Sequence, residues 1–173
     1  MKSNLPLPPQ ELQLWSGPLT GEAYLRTGRE YASRLQDPNI TGFHPKMKIL
    51  EPGCGAGRMA RHFIDKIDQN DGEFQGFDVH QPSIEWASKN ISPLAPNFVF
   101  TTLNVYNDMY NPGKHSPHDI WELADSNMGD EDKIQSHRVR FPYDDNYFDF
   151  IYSTSLFTHL VEEYVIAYLR ESY

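Results

Sequence analysis

The chain has 173 residues, of which 39% are hydrophobic and 23% are charged, and this fits one globular domain with a buried core. Its formal net charge of -9 disfavours nonspecific attraction to nucleic acid or to an anionic membrane, since both need a positive face. The single cysteine excludes an intrachain disulfide. We expect a cytoplasmic protein, because the sequence has neither an apolar stretch of about 18 residues nor the apolar core of a signal peptide.

Residues 1–45 are predicted to form an N-terminal arm followed by one capping helix. Proline fixes the backbone of "LPLPP" in an extended form. In "LTGEAYLRTGREYASRL", apolar or small residues recur at helical spacing, which predicts a helix with one packed face. The segment "DPNITGFHP" then ends this helix. The residues expected on the packed face are Tyr24, Gly28, Tyr31 and Leu35.

Residues 46–173 alternate strand patterns with helical patterns. Strands are predicted in "MKIL", "EFQGFDV", "NFVFTTLNV" and "YFDFIYSTS". Such an alternation predicts an α/β fold with a doubly wound, mostly parallel sheet and helices on both faces. The buried faces of the helices are expected to carry Met59, Phe63 and Ile67 after the first strand, Ile84, Ala87 and Ile91 after the second, and two apolar lines that begin at Leu160 and Val161 after the fourth.

The segment 105–138 interrupts this alternation. It loses periodicity and is rich in Asn, Pro, Gly, His and Asp, so it is predicted to be a mobile surface insertion. His115, His118 and Asp119 lie within it, but their spacing lacks the closed ligand set that zinc needs. No metal site is therefore predicted.

The glycine-rich stretch "EPGCGAGR" follows the first strand. Its glycines have the spacing G-x-G-x-G, whereas the dinucleotide-binding fingerprint is G-x-G-x-x-G, and Arg58 stands where the third glycine of that fingerprint belongs. A phosphate-binding Gly-Lys-Ser or Gly-Lys-Thr is absent from the sequence. Asp78 ends the second strand about 20 residues beyond the loop, where a ribose-binding carboxylate is expected. A tight structural turn and a helix-entry aspartate are the simpler alternatives.

The stretches "ILEPGCGAGR", "GFDVHQPSIEWASKN" and "FPYDDNYFDFIYSTSLFTHL" together resemble the motifs of class I methyltransferases that use S-adenosylmethionine. The resemblance covers nearly the whole chain after the N-terminal arm. It implies a Rossmann-like fold, S-adenosylmethionine as cofactor, and transfer of its methyl group to an acceptor that the sequence does not identify, most simply a small molecule. No nucleic-acid or membrane partner is predicted.

The same resemblance implies roles for individual residues. Glu51 would meet the amino group of the methionine part of the cofactor, and Asp78 would bind the ribose hydroxyls. Each of three further residues has a simpler alternative to a role in the site. These alternatives are ordinary packing for the Cys54 thiol, a turn at the strand end for Asn104, and packing beneath the insertion for His159. The remaining implied contacts are Gly53, Cys54, Gly55, Gly57 and either Ser153 or Thr154 at the methionine part, Val79 and Asn104 at the adenine, and His159 on the methyl-transfer side.

Related sequences continue beyond the helix "VEEYVIAYLRESY" into further strands, whereas this sequence ends at Tyr173. We therefore expect a domain truncated after the fourth strand and its helix, with an exposed sheet edge that favours self-association. Two other functions stay open. One is a non-catalytic, methyltransferase-like binding domain or truncated remnant, and the other is an NAD-dependent dehydrogenase, which would use a similar sheet and ribose carboxylate.

Overall fold

The computed structural model describes residues 5–103, the backbone of residues 105–106 and 134–135, and residues 139–173. Among these residues, no helix has the length and apolar character needed to span a bilayer. The described strands are β1 (Lys48–Pro52), β2 (Glu73–Asp78), β3 (Phe98–Thr102), β4 (Val105–Tyr106), β5 (Ile134–Gln135) and β6 (Phe150–Ile151), and the described α-helices are α1 (Gln10–Trp15), α2 (Gly21–Leu35), α3 (Pro38–Thr41), α4 (Gln81–Asn90) and α5 (Glu162–Glu171).

A four-stranded, all-parallel sheet forms the centre of the fold in the order β3-β2-β1-β6. The central strands β1 and β2 are buried over nearly their whole length, as expected for strands that are covered on both faces. Their register aligns Glu51 with Gly76 and Pro52 with Phe77, so both strands end at the same edge of the sheet. The predicted Rossmann-like α/β fold is confirmed, and this edge carries the residues that follow each strand.

Alternation along β1 separates the core into two layers. Ile49 belongs to the layer that contains α4, in which the rings of Phe74 and Phe98 stack with centroids 4.9 Å apart. Leu50 belongs to the opposite layer, in which Phe77 contacts Phe141 edge-on at 4.9 Å and α5 contributes Tyr168. Side chains thus cover both faces of the sheet, and the apolar area that they bury stabilises the fold.

The helix predicted after the glycine-rich loop is replaced by turns. The only helical element there is a 3-10 turn at Ala60–His62, and the neighbouring hydrogen bonds mix three-residue and four-residue spacings. Met59, Phe63 and Ile67 are buried as predicted, because successive turns keep them on one side of the segment. The expected regular helix was wrong: spacing identified the buried face but not the backbone conformation.

The N-terminal region contains three helices. The predicted helix is α2, and its packed face carries Tyr24, Gly28 and Ala32, whereas Tyr31 is 44% exposed and was placed on the wrong face. The preceding helix α1 was not predicted, and α3 is a single turn within the segment expected to break the helix. The arm therefore folds into a short helix against the domain.

The C-terminal strand is shorter than predicted, and the C-terminal helix is less buried than predicted. Only Phe150 and Ile151 of "YFDFIYSTS" form the strand β6. Tyr164 and Tyr168 of α5 are buried as expected. The second apolar line is not buried: Val161, which directly precedes α5, is 53% exposed, and Leu169 is 51% exposed. The outer edge of β6 pairs with no described strand.

The predicted insertion, residues 105–138, lies outside the described residues except for two short strands. Val105–Tyr106 pairs in parallel with Ile134–Gln135, so the chain enters and leaves this segment side by side. Asn104 and the histidines of the segment also lie outside the described residues.

A close contact at Gly28 generates a testable prediction. A Cβ atom at this position would lie 2.4 Å from the carbonyl oxygen of Arg58, so α2 can approach the segment after the loop only with glycine there. Alanine favours helices by about 1 kcal/mol over glycine, but the overlap with backbone is expected to outweigh this gain. We expect Gly28→Ala to lower the free energy of unfolding by about 1 to 3 kcal/mol in urea denaturation.

The matched control is Ser33→Ala, an exposed position on the same helix. It should leave stability unchanged or raise it by a few tenths of a kcal/mol, about the difference in helix propensity. A Gly28→Ala variant as stable as this control would show that α2 does not pack on Arg58 as described.

Candidate functional site

A cavity of about 300 Å³ lies at the edge where β1 and β2 end. This is the position at which parallel α/β sheets bind ligands, outside the carboxyl ends of the strands. The residues that line it come from the end of α1 and the segment after it, the loop after β1, the end of β2, the segment after β6, and α5. The lining side chains with hydrogen-bonding or ionisable groups are Trp15, Ser16, Glu51, Cys54, Arg58, Asp78, Thr154, Ser155, Thr158, His159 and Tyr168.

The three glycines of the loop have backbone conformations that other residues rarely adopt. Their φ angles are +75° at Gly53, +52° at Gly55 and +72° at Gly57, all in the left-handed region. A Cβ atom on Gly55 would also lie 2.8 Å from the Ser16 hydroxyl, and one on Gly57 would lie 2.4 Å from Ile91. The spacing G-x-G-x-G is therefore required by the shape of the loop itself.

Most of the loop's described N–H groups are used within the protein. The N–H groups of Gly53 and Cys54 both donate to the Phe77 carbonyl, at 2.8 and 3.1 Å, and Gly57 donates to Cys54 at 3.0 Å. The N–H of Gly55 donates to Oδ2 of Asp78 at 2.8 Å. The loop is thus fastened to the end of β2 and offers a ligand few backbone donors.

Glu51 is a buried carboxylate on the cavity wall. It is 1% exposed, and its Oε2 finds no hydrogen-bond partner among the described residues. Burial raises the pKa of Glu51 to about 8, although the nearby Tyr152 hydroxyl and Arg58 act in the opposite direction. With a pKa of about 8, the carboxyl group is mostly protonated at pH 7.

Arg58 supplies a positive charge to the same cavity. Its side chain is 7% exposed and lines the cavity close enough to Glu51 to lower the pKa of that carboxyl group. The two groups nevertheless form no ion pair within the described part of the chain. A buried cation and a buried carboxyl group that share the cavity without forming an ion pair leave room for a ligand that carries both signs.

Asp78 lies at the end of β2, where two backbone N–H groups donate to its carboxylate. The N–H of Gly55 donates to Oδ2 at 2.8 Å, and the N–H of His80 donates to Oδ1 at 2.9 Å. Burial nevertheless raises the pKa of Asp78, because the desolvation of the charged form outweighs these hydrogen bonds. The Asp78 side chain lines the cavity.

Trp15 belongs to the site, although sequence reasoning missed it. The last residue of α1, it stacks on the His80 ring with centroids 3.9 Å apart and planes 15° apart. Burial lowers the pKa of His80 to about 4, so the stacked imidazole is neutral near pH 7. The sequence feature that could have indicated Trp15 is its place as an aromatic residue directly before "SGP", a stretch typical of turns.

The other predicted site residues are only partly brought together. Gly53, Cys54, Gly55, Val79 and His159 line the cavity with Glu51 and Asp78. Gly57 instead packs against Ile91, and Ser153 donates from its hydroxyl to the Pro52 carbonyl at 2.8 Å on the far side of the strand ends. Thr154, the alternative to Ser153, lines the cavity, as does Ser155, which was not predicted. Asn104 lies outside the described residues.

Two ionisable side chains of the cavity have limited chemistry. Burial raises the pKa of the Cys54 thiol, so it stays protonated and is a poor nucleophile. Burial lowers the pKa of His159, so its imidazole is neutral near pH 7 and able to accept a proton. Among the described residues, no group of three or more His, Cys, Asp or Glu side chains forms a metal site.

No family model matches the chain. Among curated proteins, polyketide synthase 19 of Gibberella fujikuroi is 31% identical over 70 residues, which are 40% of this chain and 3% of the synthase. The hybrid PKS-NRPS synthetase mpsA of Macrophomina phaseolina is 28% identical over 79 residues, 46% of this chain and 2% of the synthetase. The chain thus spans a small fraction of the length of these proteins.

Three solved structures show similarity to the fold. Phosphoethanolamine N-methyltransferase 1 of Haemonchus contortus, in complex with phosphoethanolamine and S-adenosylhomocysteine, is 12% identical with a TM-score of 0.46, covering 90% of this chain and 30% of that chain. YjhP of E. coli is 20% identical with a TM-score of 0.36, covering 57% and 40%. A protein-L-isoaspartate O-methyltransferase is 20% identical with a TM-score of 0.34, covering 58% and 28%.

Two of these three structures are methyltransferases, the class that the motifs resemble. The assignment of the fold of this chain rests on its own sheet order.

The burial of Glu51 predicts how stability changes with pH. Because the pKa of this group is about 8 in the folded chain and 4.5 in a model peptide, the folded state binds more protons between those values. Stability therefore falls as pH rises across this window. We expect Glu51→Gln to raise the free energy of unfolding by about 2 kcal/mol or more at pH 8 and to have a much smaller effect near pH 5. Thermal unfolding followed over pH measures this difference.

The control is Glu22→Gln, an exposed first-turn residue of α2. Its effect should be small and nearly independent of pH. Equal pH profiles for Glu51→Gln and the parent chain would show that the Glu51 carboxyl is solvated and not buried.

Proposed function

We propose that the chain is an S-adenosylmethionine-dependent methyltransferase that acts on a small-molecule acceptor. The observation that carries this proposal is the Glu51 carboxylate, buried at the cavity wall with Oε2 lacking a partner among the described residues. Burying a carboxylate in this way is costly, and a bound ammonium group would offset the cost. The amino group of S-adenosylmethionine is an ammonium of this kind.

Other cavity residues suit the remaining parts of this cofactor. Asp78 would accept hydrogen bonds from the ribose hydroxyls, and Val79 would lie against the adenine. Arg58, which was not among the expected site residues, would bind the carboxylate of the methionine part, so that Arg58 and Glu51 together hold a zwitterion. When bound, S-adenosylmethionine supplies a methyl group that its positively charged sulfur already activates for transfer.

The protein's own part in the reaction would be to position the acceptor, exclude water and remove a proton. His159 lines the cavity and is neutral near pH 7, because burial lowers its pKa. It would accept the proton that an acceptor hydroxyl or amine loses on methylation. A cavity of about 300 Å³, part of which the cofactor would fill, favours a small acceptor over a macromolecular one.

The loop geometry disfavours the NAD-dependent dehydrogenase. A dinucleotide pyrophosphate needs free N–H donors and the beginning of a helix beside the glycine-rich loop. Here the N–H groups of Gly53, Cys54, Gly55 and Gly57 are bonded within the protein, and only a 3-10 turn follows. A loop of this kind suits the uncharged and zwitterionic groups of an amino acid linked to a nucleoside better than it suits the charged groups of a pyrophosphate.

Calorimetric titration with S-adenosylhomocysteine and, separately, with NAD tests the proposal. We expect the first to bind and the second not to bind. Because Glu51 has a pKa of about 8 and must lose its proton to meet the ammonium, affinity should rise with pH up to about that value, with release of up to one proton. Glu51→Gln should weaken binding and abolish this pH dependence.

The outcomes separate the three functions. Binding of NAD in preference to S-adenosylhomocysteine would support the dehydrogenase. Binding of S-adenosylhomocysteine without methyl transfer to any small-molecule amine, alcohol or thiol would favour the non-catalytic, methyltransferase-like domain. Absence of binding by either ligand would reject a nucleoside-binding function for this cavity.

The loop itself is tested by two matched glycine variants. Gly55→Ala and Gly42→Ala both place a side chain on left-handed backbone, with φ of +52° and +72°, but only Gly55 lines the cavity. A Cβ atom at Gly42 meets nothing within 4 Å. Each should cost about 1 to 2 kcal/mol of stability, and only Gly55→Ala should also weaken S-adenosylhomocysteine binding, by about tenfold or more.

Parallel titrations of the two folded variants measure the difference. Equal affinity in both would show that the loop is a structural turn with no contact to the ligand.

A further inference from the structure

Glu51 has unlike neighbours on its two sides in the sheet. In β2 it is aligned with Gly76, which has no side chain. The Cys54 thiol takes the space there, since its Sγ atom would lie 2.8 Å from a Cβ atom built on Gly76. A thiol is a weak donor, and this one lies 3.6 Å from the Gly55 carbonyl oxygen. The β2 side of Glu51 therefore offers only a weak donor.

The segment at the end of β6 places a stronger donor on the other side of Glu51. Leu50 is paired with Ile151 in parallel register, so Tyr152, the next residue, lies beside Glu51 on the same face of the sheet. The Tyr152 N–H donates to the Leu50 carbonyl at 3.1 Å, which fixes the backbone at this point. Neighbouring strands lie about 4.8 Å apart, so these two side chains leave the sheet as direct neighbours.

Packing holds the ring of Tyr152 on this face. Its centroid lies 5.9 Å from those of Phe63 and Phe150. The hydroxyl oxygen is buried and, like Oε2 of Glu51, has no hydrogen-bond partner among the described residues. A buried donor and a buried acceptor are thus neighbours, and a bond between them would offset the desolvation cost of both.

Other groups near Glu51 are less suited to this role. Asp78 is an acceptor, and Arg58 lines the cavity where it would meet the carboxylate of the ligand. Tyr24 also has a buried hydroxyl without a described partner, but it belongs to α2 and no strand register fixes it beside Glu51. The titratable groups that lie close enough to interact with Glu51 are Tyr24 of α2, Cys54 and Arg58 after β1, Asp78 of β2, and Tyr152 after β6.

We propose that Tyr152 is a positioning residue for Glu51: its hydroxyl donates a hydrogen bond to the ionised Glu51 carboxylate and so prepares that carboxylate for the ammonium group of the ligand. Tyr152 does not line the cavity, so it acts on the ligand only through Glu51. Because a carboxylate is a stronger acceptor than a neutral carboxyl group, the bond favours the ionised form. This role rests on the proposed function, since it takes the ligand to carry an ammonium group.

Tyr152→Phe tests the proposal because it removes the hydroxyl and keeps the ring between Phe63 and Phe150. Loss of the bond should raise the pKa of Glu51 by about one pH unit and so weaken S-adenosylhomocysteine binding about tenfold at pH 7, measured by calorimetry. The difference should vanish near pH 10, because Glu51 is then ionised in both proteins. The ratio of the two affinities at each pH cancels the titration of the ligand's own amino group.

The matched control is Tyr143→Phe, which removes another buried tyrosine hydroxyl without a described partner, in the opposite layer of the core. It should leave the affinity unchanged at every pH. In a Glu51→Gln background, Tyr152→Phe should also leave the affinity unchanged, whereas a purely structural effect of the substitution would persist there.

An unchanged affinity of Tyr152→Phe at pH 7, or an equal loss at pH 7 and pH 10, would overturn the inference and leave the proposed function intact. Failure of the parent chain to bind at any pH would reject the proposed function instead. Tyr152 is then judged without a ligand, by thermal unfolding over pH. The fall in stability that Glu51 causes with rising pH should extend about one pH unit higher in Tyr152→Phe than in the parent. The same end point in both proteins would overturn the inference.

Discussion

The burial of two carboxylates at the ends of adjacent parallel strands is the constraint on which the rest of the site depends. The register of β1 and β2 brings Glu51 and Asp78 to the same edge of the sheet, and both side chains are at most 8% exposed. Desolvation raises the pKa of each. The two positions differ in how this cost is offset: two backbone N–H groups donate to the Asp78 carboxylate, whereas Oε2 of Glu51 has no hydrogen-bond partner among the described residues.

This difference gives the cavity two unlike ends. At Asp78 a ligand adds to interactions that already exist, whereas at Glu51 it supplies one that is missing. The Arg58 guanidinium, near Glu51 but not paired with it, keeps that end polar without neutralising it. Discrimination between ligands should therefore be strongest at the Glu51 end, where a neutral substituent would leave the buried Arg58 charge unmatched.

The sequence was most informative where the chemistry of one residue decides the backbone. Glycines at alternate positions predicted the loop, and all three adopt positive φ angles. Short strand patterns in "MKIL" and "EFQGFDV" predicted β1 and β2. The carboxylates followed from their places at the strand ends. For these elements, local preference and tertiary structure agree.

The sequence was least informative where contacts between distant segments decide the outcome. Met59, Phe63 and Ile67 have helical spacing, but the segment forms irregular turns beneath α2, whose Gly28 lies against the Arg58 carbonyl. Tyr31 satisfies the periodicity of α2 as well as Ala32 does, and only packing distinguishes them. Trp15 is brought onto the His80 ring, at the wall of the cavity, by a fold of the N-terminal segment that no local pattern specifies.

The internal hydrogen bonds of the glycine-rich loop bear on how such a sequence evolves. Because the N–H groups of Gly53 and Cys54 are fastened to the Phe77 carbonyl, the loop's shape serves folding whether or not a ligand binds. Selection for a folded chain alone would retain these glycines, even in a lineage that had lost its activity. Glu51 is subject to the opposite pressure, since replacing its buried carboxylate would stabilise the fold. Across descendants of this chain, retention of that glutamate, more than retention of the glycines, would therefore mark those that still use the cavity.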